Sequence, residues 1–119
     1  MTPLLSFDGN VAVITLNRPE SLNALSFAIM SALNELLSEV ERSEARGLII
    51  TGAGSKAFSA GADIGELRNR TMREQRESTQ YDQAVFRRLE QLRKPSLALI
   101  TGYAFGGGLE LAMACTFRL

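Results

Sequence analysis

The residues whose types and spacing could do chemistry sit in two short glycine-bearing stretches. The later one reads Gly102-Tyr103-Ala104-Phe105-Gly106-Gly107-Gly108-Leu109-Glu110-Leu111-Ala112. It follows the apolar run 97–101, which reads as a buried strand, and leads into 109–115, which reads as the opening turns of a helix. Three successive glycines at a strand-to-helix switch allow backbone angles and close approaches that a Cβ would block. A helix starting there leaves its first amide N–H groups without intrahelical partners. Such amides suit an anion, or an oxygen that becomes negative during a reaction. Glu110, in the first turn, sets a carboxylate beside the same spot. Taken alone, the triplet reads better as a tight turn followed by a solvated glutamate.

The earlier stretch changes that balance. Lys56-Ala57-Phe58-Ser59-Ala60-Gly61-Ala62-Asp63-Ile64 also follows a strand-like run, 47–52, and also gathers small residues around a glycine. Two strand ends carrying small-residue loops can each offer one backbone N–H to a shared oxygen. Backbone donors need no particular side chain, only neighbours small enough to admit the ligand.

The elements that must position these loops follow from pattern. Residues 4–16 read as two short strands around the turn signal Asp8-Gly9-Asn10. Val11-Ala12-Val13-Ile14-Thr15-Leu16 is apolar enough to be largely buried, and Asn17-Arg18-Pro19-Glu20 ends it, because proline cannot donate to a ladder. Leu22-Asn23-Ala24-Leu25 reads as a loop, with Ser26 as the N-cap of a helix over 27–44. In that helix Ile29, Leu33, Leu36, Leu37 and Val40 recur at helical spacing, so its expected role is to cover a sheet. The strand–helix–strand order implies a right-handed crossover and parallel pairing. The fold class is therefore α/β, and ligands in such sheets sit beyond the carboxyl ends of the strands, where both loops lie. Residues 63–69 read as a short helix. Residues 70–80 are polar apart from Met72 and read as a solvated, mobile segment rather than a binding patch. Residues 81–93 form a second amphipathic helix on Val85, Phe86, Leu89 and Leu92, stopped by Lys94-Pro95.

Composition narrows the function classes. The chain has 119 residues, enough for one modest core. Thirteen Lys and Arg balance thirteen Asp and Glu, so no global charge points to nucleic acid or a membrane surface. No apolar run approaches bilayer-spanning length, and no basic-then-apolar leader is read at the start. With no His and a single Cys, a His-containing triad or a zinc site of the usual ligands is excluded within these residues. Cys115 sits in an apolar helical context and reads as a small core residue, in keeping with a reducing, cytoplasmic setting.

The two loops, combined with Leu16-Asn17-Arg18-Pro19 and Asn23-Ala24-Leu25, closely resemble the N-terminal half of the crotonase superfamily, the enoyl-CoA hydratase/isomerase proteins. The likeness runs from about Val11 to Leu119. It implies a crotonase-like ββα spiral core (the ClpP/crotonase fold), with residues 1–119 forming the N-terminal part of a single domain. The implied activity is hydration of the 2,3-double bond of an enoyl-CoA. The relatives also include isomerases, dehalogenases, decarboxylases and hydrolases, and a non-catalytic fragment is a further alternative.

Matched to that pattern, the backbone N–H groups of Ala62 and Gly107 form an oxyanion hole for the thioester carbonyl. Losing one such donor typically costs about 3–4 kcal/mol of barrier. Ala60, Ala62, Asp63, Ile64, Gly65 and Gly107 line the acyl-CoA site, and Lys56 and Ala60 border the adenine. Asp63 reads more simply as a helix cap. Glu110 matches the first of two catalytic glutamates that activate a water; its alternative is a solvated carboxylate. The 70–80 region borders the acyl pocket. No metal or separate cofactor is implied, since coenzyme A belongs to the substrate. The expected partner is an acyl-CoA thioester, not nucleic acid or membrane, and the full-length relatives are homotrimers or dimers of trimers.

The resemblance also implies that the second catalytic glutamate, in a Pro-Glu segment, and the C-terminal half lie beyond Leu119. The expectation is thus a chain cut after the helix that follows the glycine triplet. Thr116 stands where the family has Asp, and a chain cut here is expected to leave the 109–115 helix and the central strands partly uncovered, with exposed apolar surface, an unpaired strand edge and poor solubility.

Overall fold

Asp8-Gly9-Asn10 turns the chain back so that β1 (Leu4–Asp8) pairs antiparallel with β2 (Val11–Leu16) in the computed structural model, which describes residues 3–119. Along β2, Ala12, Ile14 and Leu16 are fully buried while Val11, Val13 and Thr15 are half-buried. This alternation is what a sheet covered mainly on one side requires. β3 (Gly47–Gly52) repeats it with Leu48 and Ile50 inward, and pairs parallel with β2 from Val11↔Gly47 to Leu16↔Gly52. β5 (Ser96–Leu99) and β7 (Phe117–Arg118) extend the sheet in parallel, giving the order β1-β2-β3-β5-β7.

The inward side chains of this sheet share one core with the covering helices. α1 (Phe27–Arg42) begins where the Ser26 hydroxyl accepts from the Ile29 amide at 3.2 Å. It contributes Ile29, Met30, Leu33, Leu37 and Val40 to the core. It ends two residues earlier than the sequence pattern suggests, where Lys94 Nζ donates to the Val40 and Ser43 carbonyls at its C-terminus. Arg88 ties α1 to α3 (Met72–Glu90), donating to the Asn34 carbonyl and to Ser38 and Glu41 side chains at 2.6–2.7 Å.

α3 corrects two sequence expectations. Residues 70–80 are not an irregular segment, and the helix placed at 81–93 begins at Met72. A capping box starts it: the Thr71 side chain accepts from the Glu74 amide and the Glu74 carboxylate accepts from the Thr71 amide. Its first turns are built from strong helix formers and bury almost nothing, so apolar periodicity carries no signal there. Only Val85 and Leu89 of this helix are fully buried. α2 (Ile64–Leu67) is shorter than the expected 63–69.

The other departure lies in the loops. Ala57–Ser59 (β4) and Tyr103–Ala104 (β6) pair in parallel as a second, two-stranded sheet, where the sequence suggests only loops. Phe58, fully buried, anchors β4 in the core. α4 (Gly107–Ala114) starts within the glycine triplet and packs on β4. A Cβ on Gly108 would run into the Ser59 carbonyl oxygen, so glycine is what permits this approach. At the sheet edge β7 is fixed by a reciprocal pair, Ser96 N to Thr116 Oγ1 and Thr116 N to Ser96 Oγ, both 3.0 Å. Phe117 and Leu119 are 61% and 77% exposed there, and Leu109 and Met113 of α4 are also exposed. Among the described residues no helix is long and apolar enough to cross a membrane.

Candidate active site

The loop after β4 is held from below by one buried side chain. Asn23 adopts φ +55°, a left-handed conformation that Asn tolerates better than most residues, and is 1% exposed. Its carboxamide oxygen accepts from the Arg18 amide at 2.8 Å, and its Nδ2 donates to the Ala53 and Ala57 carbonyls at 3.0 and 2.9 Å. Its own carbonyl accepts from the Ser59 hydroxyl at 2.8 Å, and the Ser59 oxygen accepts from the Gly61 amide at 3.2 Å. The backbone adds Ala60 N to Leu22 O and Leu25 N to Gly61 O. The polar side-chain atoms of Asn23 and Ser59 are thereby all hydrogen-bonded.

The loop before α4 is tied to the first one. Phe105 N donates to the Ser59 carbonyl at 3.1 Å and Tyr103 N to the Lys56 carbonyl at 3.0 Å. Gly61, at φ +94°, lies so close that a Cβ there would come within 2.8 Å of the Phe105 oxygen and 3.1 Å of the Gly107 nitrogen. The amides of Ala62 and Gly107 remain unused in this dense arrangement. Neither the Ala62 nor the Gly107 N–H donates to any acceptor among the described residues. Both residues line one cavity of about 190 Å³, together with Leu25, Phe86 and Glu110. Gly107 is also the first residue of α4, where the helix dipole adds positive potential. Two such donors on one cavity wall can hold a carbonyl oxygen and stabilise it as charge accumulates.

Glu110 is exposed and its carboxylate makes no hydrogen bond or ion pair among the described residues. It also lines the adjoining, larger cavity of about 550 Å³ with Phe86, Met113 and Ala114. A free carboxylate at the junction of two cavities can accept a proton from a water held there.

The remaining sequence-predicted residues are distributed differently. Asp63 caps α2, accepting from the Gly65 amide at 2.9 Å, and pairs with Arg18 at 2.7 Å. The Arg18 guanidinium, with help from the Gly65 amide, holds the Asp63 carboxyl below its usual range. The capping reading of Asp63 is therefore what its side chain does. Ile64 is 72% exposed, and neither it nor Ala60 nor Gly65 lines the cavity of the two amides. Lys56 borders a separate cleft of about 270 Å³ with Pro19, Asn23, Ala53 and Gly54, without Ala60. Cys115 is 4% exposed, and burial pushes its thiol up to about 11, in keeping with a core residue. No cluster of metal-ligating side chains occurs among the described residues.

Two sets of residues escaped the sequence reading. Asn23 and Ser59 position the first loop, and only the contacts reveal it; a polar residue between apolar neighbours was the available hint. The second set lies on α3, where Gln75, Thr79, Asp82 and Gln83 form a polar wall of the amide-lined cavity. Asp82 Oδ1 is buried there with no hydrogen-bond partner. Burial raises the Asp82 carboxyl to about 6, with Glu66 and Glu110 acting in the same direction and Arg70 against them.

The strand order, the second small sheet and the glycine-bounded helix define a crotonase-fold α/β protein. A crystal structure of enoyl-CoA hydratase from Bacillus anthracis superimposes with a TM-score of 0.94 at 36% identity, covering 98% of this chain and 46% of that one. The enoyl-CoA hydratase of Thermoplasma volcanium gives 0.93 at 35% identity, over 98% of this chain and 46% of its own. The family described as Enoyl-CoA hydratase/isomerase matches residues 6–119, and the chain belongs to that family. The short-chain-enoyl-CoA hydratase of Clostridium acetobutylicum is 44% identical over 117 residues, which is 98% of this chain and 45% of that protein. The crotonyl-CoA hydratase of Syntrophomonas wolfei is 41% identical over the same shares. The chain thus spans about 45% of the length of these curated relatives.

Proposed function

We propose that the protein binds an enoyl-CoA thioester and adds water across its 2,3-double bond. The observation that carries this reading is the pair of unspent amides, Ala62 and Gly107, on the cavity wall that also carries Glu110. In the proposed step the thioester oxygen accepts from both amides. Glu110 takes a proton from a water, the water oxygen bonds to C3, and the π electrons move through C2 onto the thioester oxygen. The resulting enolate collapses as C2 takes up the proton that Glu110 removed from the water, which returns Glu110 to its carboxylate form. The amides act where charge develops, which is where preorganised donors lower a barrier most.

Coenzyme A enters as part of the substrate and no further cofactor is invoked. The hydratase names of the relatives support this chemistry for them. Family resemblance alone supports the finer points: cytoplasmic fatty acid β-oxidation and assembly as homotrimers.

The test is hydration of crotonyl-CoA, followed as loss of the conjugated-thioester absorbance. Glu110→Gln is expected to lower kcat by about 10²–10⁴ with little change in thioester binding. An unchanged rate in that variant removes Glu110 from the mechanism. Turnover of a 3-enoyl-CoA to the 2-enoyl isomer, without hydration, would instead make the protein an isomerase on the same two amides.

A further inference from the structure

A trans peptide unit is planar, so its C=O and its N–H point in opposite directions. An amide aimed into a cavity is therefore oriented from behind, by whatever holds the carbonyl of the preceding residue. The Gly107 N–H shares its peptide unit with the Gly106 carbonyl, which accepts from the Glu110 amide at 3.0 Å. That bond opens α4, so the helix itself fixes this donor. The Ala62 N–H shares its unit with the Gly61 carbonyl, and no helix begins there, since α2 starts at Ile64. Gly61, at φ +94°, has no Cβ to restrain the unit locally. What holds its carbonyl is one bond from another part of the chain, Leu25 N to Gly61 O at 2.7 Å, at the short end of the N–H···O range.

The source of that bond is itself well fixed. Leu25 is 6% exposed and follows two pinned residues. Asn23 makes its three side-chain bonds, and the Ala24 amide donates to the Ser21 carbonyl at 3.1 Å. In such buried surroundings hydrogen bonds in series polarise one another. A Gly61 carbonyl that accepts from Leu25 makes the Ala62 N–H a stronger donor. A ligand oxygen that accepts from Ala62 makes the Gly61 carbonyl, in turn, a stronger acceptor.

We propose that the main-chain amide of Leu25 is a positioning group for the candidate oxyanion site. It orients and polarises the Ala62 N–H as the opening hydrogen bond of α4 does the Gly107 N–H. The proposal rests on the acyl-thioester reading above, in which one thioester oxygen accepts from both amides. No covalent step involves Leu25.

The test reads this bond in the unaltered protein. The NMR scalar coupling across Leu25 N–H···O=C Gly61 is measured with and without butanoyl-CoA, a saturated thioester that offers no double bond to hydrate. Its magnitude is expected to grow by about 10–30% on binding, the strengthening expected of one bond feeding another. The coupling across Leu48 N–H···O=C Pro95, a 3.0 Å bond outside the donor unit, is expected to stay constant. An unchanged Leu25 coupling beside an Ala62 amide proton that moves downfield overturns the proposal and leaves the acyl-thioester reading intact. Equal growth in both couplings also overturns it. If the Ala62 amide proton does not respond to saturating thioester, the acyl-thioester reading fails and this inference fails with it.

A second arm removes the donor without touching a side chain. Replacing Leu25 by its α-hydroxy acid turns the N–H into an ester oxygen, and the same replacement at Leu48 is the control. The Leu25 ester is expected to lower kcat for crotonyl-CoA about tenfold with KM changed by less than about twofold, a part of the loss that follows outright removal of an oxyanion donor. The Leu48 ester is expected to keep the parent rate. Equal rates in the two variants overturn the proposal. If the Leu25 ester does not fold, the coupling measurement decides alone.

Discussion

The two sides of the candidate cavity are held in opposite ways. On one side, the loops carrying Ala62 and Gly107 rest on Asn23, Ser59 and a set of backbone hydrogen bonds that leave these two amides unused. On the other side stands α3, whose cavity-facing residues other than Phe86 are polar, mostly exposed, and include an unpaired carboxyl oxygen. The first wall is held by the protein's own hydrogen bonds; the second carries a carboxyl oxygen, sealed from solvent, that no group among the described residues satisfies. Chemistry benefits from the first condition, because a preorganised donor spends nothing on reorganisation as charge develops.

The largest effect that separates the walls is on the amide side. Gly107→Pro removes the N–H at the first helical position, where proline fits the helix. It should lower kcat for crotonyl-CoA by about 10²–10³ while the melting temperature changes little. Gly107→Ala keeps the amide, and its Cβ would sit 3.5 Å from Leu25, an ordinary contact, so it is the control expected to stay near the parent rate. A control as slow as the proline variant would assign the loss to bulk, not to the missing donor.

Next comes the support beneath the first loop. Asn23→Ala deletes three hydrogen bonds at a fully buried position and places alanine at a positive φ. The expected loss is about 3 kcal/mol in denaturant unfolding. A loss within about 0.5 kcal/mol would mean that the loop is not fixed in the manner described.

The α3 wall predicts a smaller effect with a pH signature. The Asp82 carboxyl sits at about 6 against an ordinary 3.8, so the folded state disfavours its ionised form. The cost is absent below pH 4 and complete above pH 6, so stability falls across that window as pH rises. Asp82→Asn should remove it, raising stability above pH 6 by about 1 kcal/mol after allowance for partial solvent exposure, and changing nothing below pH 4. A gain of equal size at both pH values would locate the effect elsewhere. At the far end, Met72→Lys alters a residue that is 83% exposed at the start of α3 and should change stability by less than about 0.5 kcal/mol.

The same contrast explains what could be read from the sequence. The loop wall was legible because its physics constrains residue type: close approach at Gly108 and the positive φ at Gly61 admit little but glycine. The strands β2 and β3 and the helix α1 were legible because each buries one face, and burial imposes a period. The first half of α3 buries nothing, so its polar residues gave no period and it passed for an irregular segment. The short pair β4 and β6 is fixed by contacts between residues more than 40 positions apart, which no local pattern carries. Asp82 was invisible, and Asn23 was legible only as part of the Asn23-Ala24-Leu25 motif and not in its supporting role, for the complementary reason. Each is an ordinary polar residue whose significance lies in what surrounds it: three bonding partners for one and an unpartnered oxygen for the other.

The central claim concerns the thioester oxygen, and its most direct test reads that oxygen. Isotope-edited infrared difference spectra of crotonyl-CoA labelled with ¹³C at the thioester carbonyl report the strength of hydrogen bonding to it. Polarisation by the Ala62 and Gly107 amides predicts a carbonyl band at lower frequency in the bound state than in water, moving back towards the water value in Gly107→Pro. A bound carbonyl that absorbs at or above its frequency in water would contradict the account.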